Sequence, residues 1–323
     1  MDLETLEVLA DQGILFTILS PDQAAQTRGQ EDTDWTDVSD GAIDPKVPYL
    51  QRLEGGGTMT LFFYDGPISR AVAFEGLLKN GEAFAERLAS GFADQETPQL
   101  LHIATDGESY GHHFPHGDMA LAYALHYIES QDLAQLTNYG EFLEKCPPTQ
   151  EVQIKENTSW SCAHGIARWH SDCGCSSGAH PGWHQQWRGP LREALDWLRE
   201  ELAQGYEDAA GEYVEDPWKA RDHYISVILD RSVESIERFM TQHCHKARSP
   251  ADNVRMLKLL EIQRQAMLMY TSCGWFFDEI SGIETVQIMQ YAGRAIQLYQ
   301  DVFGSDLESE FLERLAHARS NIP

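Results

Sequence analysis

The stretch LLHIATDGESYGHH, residues 100–113, passes from an apolar run into a polar one punctuated by glycines. Leu101 and Ile103 sit in a run that is apolar at nearly every position, which reads as a strand buried on both faces, as parallel strands are. Gly107 permits a sharp turn directly behind Asp106, and Gly111 permits another before His112. A buried strand that ends on a carboxylate and turns at once fits the C-terminal face of an α/β barrel, where catalytic residues are displayed. Asp106 is therefore the candidate catalytic residue. A carboxylate desolvated in a pocket has its proton affinity raised, which suits a general acid. The competing reading is an Asp-Gly turn with exposed polar neighbours.

Upstream, ILFTILS (14–20) and TMTLFFYDG (58–66) have the same near-continuous apolar character. Between the strand candidates lie the helical patterns LETLEVLADQG (3–13) and ISRAVAFEGLLKNGEAFAERLASGF (68–92). Strand, helix and strand at this spacing read as βαβ units. Three such strands are too few to close a barrel. The polar segment 26–58, with Trp35, Tyr49 and three consecutive glycines, reads as a disordered excursion or as a substrate loop over a barrel mouth, and the second is the expectation.

Beyond about residue 126 helical periodicity dominates. Segments 191–214, 221–243, 253–279 and 283–303 repeat apolar residues at intervals of three and four, with Met and aromatic stripes that read as core. The expected organisation is a partial (β/α) barrel over 1–125, followed by a helical domain over 126–323.

The chain has 323 residues, 51 acidic against 24 basic, and a net charge of −27. A nucleic-acid partner calls for a basic footprint, and an anionic membrane would repel this charge. Neutral molecules such as sugars suit it. The opening MDLETLEVLADQGILFTILS has acidic flanks unlike a signal peptide, and no apolar run approaches the roughly 20 residues that span a bilayer. Six cysteines in a chain this long argue against a disulfide scaffold, and the expected location is cytoplasmic.

HIATDGESYGHH (102–113) resembles the fourth signature region of glycoside hydrolase family 57, where a strand ends in Asp-Gly-Glu or similar, followed by aromatic, Gly and His or Trp. The Asp before the Gly is that family's general acid/base. The resemblance puts this role on Asp106, with substrate contacts at Glu108, Tyr110, His112 and His113. LFFYDGPISRAVAF (61–74) is similar to the family strand whose acidic residue and downstream Ser-Arg border the site, here Asp65 and Arg70. Residues 2–24 resemble the helix and strand just after the nucleophile region. The remainder, with SWSCAHGIARWHSDCGC (159–175), DPWKARDHYISVILDRS (216–232) and YTSCGWFFDEISGIETVQI (270–288), is similar to the helical domain of unknown function 3536.

The resemblance implies α/β plus all-α architecture: the C-terminal portion of a (β/α)7 barrel followed by a helical domain. It implies a glycoside hydrolase or glucanotransferase acting on an α-glucan by a retaining mechanism, without a cofactor. One departure matters. The family nucleophile is the Glu of a Trp-x-Pro-Glu-like motif, and this sequence has no such Glu; Glu4 and Glu7 lie inside an amphipathic helical pattern. A retaining glycosidase needs two carboxyl groups roughly 5–5.5 Å apart. The chain is therefore expected to be incomplete by itself, its partners being oligo- or polysaccharide and a missing N-terminal barrel segment, or other copies associating through an open strand edge.

SWSCAHGIARWHSDCGCSSGAHPGWHQQWRGPLREAL (159–195) is a second constellation. Cys162, His164, Cys173 and Cys175 form a Cys-x-His and Cys-x-Cys set that tetrahedral zinc would accept, although one-residue gaps are shorter than the usual two to four. The alternatives are a structural loop, or one whose Trp160 and Trp169 stack on sugar rings beside Arg168 and Asp172. Substrate contact is the leading expectation here, with no metal. Trp275 and Asp278, in SCGWFFDEISG (272–282), match a Trp-rich stretch that leans over the substrate site in related hydrolases; the bland reading is a helix junction packed by aromatics. Asp106 with His112 and His116 also suggests a metal triad of a polysaccharide deacetylase, whose metal would activate a water. A non-catalytic carbohydrate-binding module is the third class.

Overall fold

Thr58–Phe63, the most apolar of the expected strands, is the strand around which the first unit is built: Met59, Leu61, Phe62 and Phe63 are all fully buried. The computed structural model describes residues 1–244 and 249–322. It divides the chain into two units, Met1–Gly165 and Ile166–Pro323.

In the first unit the strands are β1 (Phe16–Leu19), β2 (Ala24–Gly29), β3 (Thr36–Asp37), β4 (Tyr49–Arg52), β5 (Thr58–Phe63) and β6 (Gln150–Ile154), in one sheet of order β1-β5-β4-β6-β2-β3. The β1–β5 and β4–β6 pairs are parallel; β4–β5, β2–β6 and β2–β3 are antiparallel. The helices are α1 (Leu3–Asp11), α2 (Gly66–Phe74), α3 (Gly81–Ala89), α4 (Gly117–Ser130) and α5 (Tyr139–Lys145). Side chains fix their starts. Asp2 accepts from the Thr5 amide to open α1, and Asn80 accepts from the Glu82 and Ala83 amides to open α3.

Three expectations change here. The segment 26–58 is not a loop over a barrel mouth: it supplies most of β2, all of β3 and all of β4. Leu53 and Gly57 close a tight turn, with Gly56 at φ +84°, so β4 and β5 form an antiparallel hairpin. Tyr49 is buried, and Trp35 lies under the Arg28 guanidinium at 4.4 Å. Secondly, the chain divides after Gly165 rather than near 125, because β6 returns to the middle of the sheet and holds residues up to 154 in the first unit. Thirdly, the run ending at Asp106 is extended but joins no ladder.

The second unit holds α6 (Arg188–Ala210), α7 (Pro217–His223), α8 (Ile225–Leu229), α9 (Val233–His243), α10 (Pro250–Leu268), α11 (Ile283–Phe303) and α12 (Glu308–Leu315). Leu191, Leu195, Leu198 and Leu202 of α6 recur at helical spacing and are fully buried. They join a core with α10 and α11, and Gln263 donates to the Leu202 carbonyl across it. The helical pattern over 221–243 is realised in three pieces, since Ser232 caps a new start at α9 by accepting from the Ser235 amide. Among the described residues no helix is long and apolar enough to cross a membrane.

Candidate active site

The sequence places two Asp-Gly pairs at the ends of apolar runs, and the structure uses them differently. Asp65 follows β5 and opens α2: its carboxylate accepts from the Ile68 amide at 2.8 Å. Asp106 precedes a single 3-10 turn, Gly107–Tyr110, and its side chain makes no capping bond to that turn. Asp106 is exposed, as are Gly107 and Glu108. One carboxylate is occupied as a helix cap and the other is presented to solvent.

The chain before Asp106 is fixed although it forms no ladder. Leu100 N–H donates to the Lys46 carbonyl, the His102 carbonyl accepts from Asp65 N–H, and Ala104 N–H donates to Ser69 Oγ at 3.1 Å. Ser69 Oγ in turn donates to the Asp65 carbonyl at 2.6 Å. Beyond Asp106, its own carbonyl accepts from Ser109 N–H, and Thr105 Oγ1 lies 3.1 Å from Tyr110 Oη. The turn packs onto the start of α4 at Gly117, where a Cβ would stand 2.9 Å from the Ser109 carbonyl oxygen. A side chain there would push the turn outward.

His102 is a half-buried polar group within the apolar part of this segment. Nε2 faces the Pro45 carbonyl at 3.1 Å and must carry the proton, so Nδ1 accepts from Tyr139 Oη at 3.0 Å. Burial pushes the imidazole down to about 4, against hydrogen bonds to backbone and the charge of Asp65, which act the other way. Because the folded state resists protonation, stability is expected to fall as pH drops below the ordinary histidine value and to stop falling on this account near pH 4. The shift corresponds to about 3 kcal/mol. Urea unfolding of wild type and His102→Gln at pH 7 and pH 4.5 checks this: the variant should lose less stability on acidification, and equal losses would remove His102 as the cause.

The other expected site residues separate into groups. Glu108, His112 and His113 are exposed around the turn, with the two imidazole rings 5.1 Å apart, and Tyr110 is half-buried. Arg70 is three-quarters exposed and lies 3.4 Å from Glu75, so it serves the surface of α2, just as Asp65 serves its cap. Trp160 is 64% exposed. In the second unit, Trp275 is buried in the core and its indole donates to the Arg188 carbonyl. Asp278 is buried too; its carboxylate accepts from Ser177 N–H and Oγ. Trp169 is partly buried against the same core and donates to the Ser272 carbonyl.

Asp106, His112 and His116 do not converge as a metal triad. Among the described residues the convergent group of ligating side chains is Cys162, His164, Cys173 and Cys175, whose donor atoms all lie within 4.8 Å of one another. His102, Ser69 and Tyr139, which position the Asp106 segment, are the residues sequence reading missed. A lone His in an otherwise apolar run was the available signal for the first of them.

Residues 2–155 match the model of glycosyl hydrolase family 57, and residues 183–323 match that of a domain of unknown function, DUF3536. Among solved structures the chain is similar to a novel exo-type maltose-forming amylase from Pyrococcus sp. ST04, with 17% identity and a TM-score of 0.71. That likeness covers 97% of this chain and 57% of the amylase, so this chain spans little more than half of its length. No curated protein sequence matches the chain.

Proposed function

We propose that this chain, whose residues 2–155 match the model of glycosyl hydrolase family 57, acts on α-glucans as a glycoside hydrolase or glucanotransferase, with Asp106 as the acid/base. The observation that carries the reading is the contrast between the two Asp-Gly pairs. Asp106 lies in the family-matched region, at the end of an anchored extended segment, with a carboxylate that neither caps a helix nor is buried. In a retaining reaction it would protonate the departing glycosidic oxygen and later take a proton from the attacking water or sugar hydroxyl.

The same mechanism requires a nucleophilic carboxylate roughly 5–5.5 Å away. The motif that bears it in the family is not found in these 323 residues. On this proposal the nucleophile comes from a further barrel segment. The exposed Trp160 offers an aromatic face to a sugar ring, and the acidic surface leaves a neutral substrate unrepelled.

The test is turnover of an α-glucan panel by the chain alone and with an N-terminal barrel segment of the family supplied, following released sugar and its anomeric configuration. Activity on complementation, with the α configuration retained, is the expected result. Activity of the chain alone would place both carboxylates within these residues. No turnover in either arm, with glucan still bound, would replace the catalytic reading with a binding one.

A further inference from the structure

Arg188 opens α6 and is fully buried, and its hydrogen bonds go to backbone carbonyls and a sulfur. Nη2 donates to the carbonyls of Cys175, Phe276 and Phe277 at 3.2–3.3 Å, while Nη1 reaches the Cys175 carbonyl at 3.4 Å and the Cys173 sulfur at 3.6 Å. Arg168, also buried, donates to the Phe276 carbonyl and lies near enough to repel it. A buried guanidinium costs several kcal/mol unless negative charge accompanies it. The Asp278 carboxylate favours the charge of Arg188 from nearby, and the sulfur of Cys173 stands directly beside Nη1.

We propose that Cys162, His164, Cys173 and Cys175 bind one zinc ion as a structural three-thiolate, one-imidazole centre, with Arg188 as its outer-sphere partner. This inference is independent of the glycosidase reading. Zinc bonds of about 2.3 Å to sulfur and 2.0–2.1 Å to nitrogen put tetrahedral ligand atoms roughly 3.3–3.8 Å apart. The four donor atoms already lie within 4.8 Å of one another, so closing on an ion needs only small side-chain movements. Three thiolates and a divalent ion leave a net single negative charge, which answers the positive charge of Arg188. Four protein ligands also leave no open position, so the centre is structural rather than catalytic.

Backbone geometry removes the objection raised by the short spacings. Gly174, the one residue between Cys173 and Cys175, has φ +77°, a left-handed conformation that reverses the chain so both sulfurs can face one point. Gly165, directly after His164, has φ +72°, and a Cβ on it would stand 2.6 Å from the Asn157 carbonyl oxygen. Ser159 bridges to Cys162 and donates to the Gly165 carbonyl, which tightens this turn. On the other side, Asp278 accepts from Ser177, and Asp172 accepts from Gln185 N–H. The fourteen-residue stretch Cys162–Cys175 is thus held at several points around the four donors. Binding releases a proton from each thiol that is protonated, with no change in oxidation state.

The full chain, purified in reductant, is expected to contain one zinc per molecule by elemental analysis. Chelator should remove it with a fall in melting temperature. Cys173→Ser/Cys175→Ser should abolish stoichiometric zinc, whereas Cys146→Ser should not. Arg188→Gln should retain the site but weaken zinc binding by about 10–100-fold. Should the ligand variants fail to fold, cobalt substitution of the wild type decides: thiolate-to-cobalt charge transfer with tetrahedral visible bands supports the centre. Absence of stoichiometric metal, a disulfide among these cysteines, or an octahedral cobalt spectrum overturns it.

Discussion

Asp106→Asn is expected to lower α-glucan turnover by about 10²–10⁴-fold, the range lost with a positioned general acid or base, while leaving the stability of the chain unchanged. The amide is isosteric with the carboxylate but neither gives nor takes the required proton. The stability half follows from placement: Asp106 is exposed and its side chain makes no capping bond to the turn, so its replacement falls within about 0.5 kcal/mol, as for most surface substitutions. Asp65→Ala should show the opposite signature. It removes the cap of α2 and costs about 1 kcal/mol by urea unfolding, with no proton-transfer role to lose. The measurement is kcat on the best glucan of the panel, with the barrel segment present, beside an unfolding curve for each variant. Retention of wild-type kcat by Asp106→Asn would end its assignment as acid/base.

Among single substitutions, the largest loss of stability at neutral pH is expected at Glu151. It lies on β6 between β2 and β4 and is 1% exposed. Its Oε2 accepts from Arg28 at 2.6 and 2.9 Å, and its Oε1 accepts from Arg52 Nε at 2.5 Å. Removing one member of a buried ion pair typically costs 3–5 kcal/mol, because charge is left without a partner. Here both arginines can turn toward water, Arg52 being 63% exposed, so Glu151→Ala should cost about 2–3 kcal/mol. Arg52→Ala should cost less. The Arg28 hydrogen bond is the largest of the effects holding the Glu151 carboxyl below its ordinary range, so its contribution is present at neutral pH and is lost as pH falls through the folded value. Urea curves at pH 7 and pH 3.5 check both parts. A loss under 0.5 kcal/mol at pH 7 would show that the triad is merely a surface contact.

The sequence made some parts of this protein legible and hid others, for physical reasons. Residues 283–303 read as one helix and form one, because a long amphipathic period carries its own evidence. β1 and β5 were visible as apolar runs. β2 was not, since AAQTRG has little apolar character and a strand is defined by partners over a hundred positions away. β6, QEVQI, hides a buried glutamate that only the two arginines explain. At the site, the prominence of Asp106 was readable from Asp-Gly after an apolar run. The diversion of Asp65 to a cap was not, because the two local patterns are alike until the following helix is placed. Likewise, the Cys-x-Cys spacing looked too short until Gly174 showed how the chain reverses within it.

The central place of β6 also sets an order of events during synthesis. Arg28 and Arg52 wait for Glu151, which follows them by 123 and 99 residues. At a translation rate of about 5–20 residues per second, roughly five to twenty-five seconds pass before that stretch exists. Until then β4 and β2 lack the strand that separates them in the finished sheet, and their amide edges lie open to other chains. Most of the first unit's sequence is therefore made before its sheet can close. A ribosome-bound intermediate ending before residue 150 should be a client for chaperones, while one extended past residue 154 and clear of the exit tunnel should not.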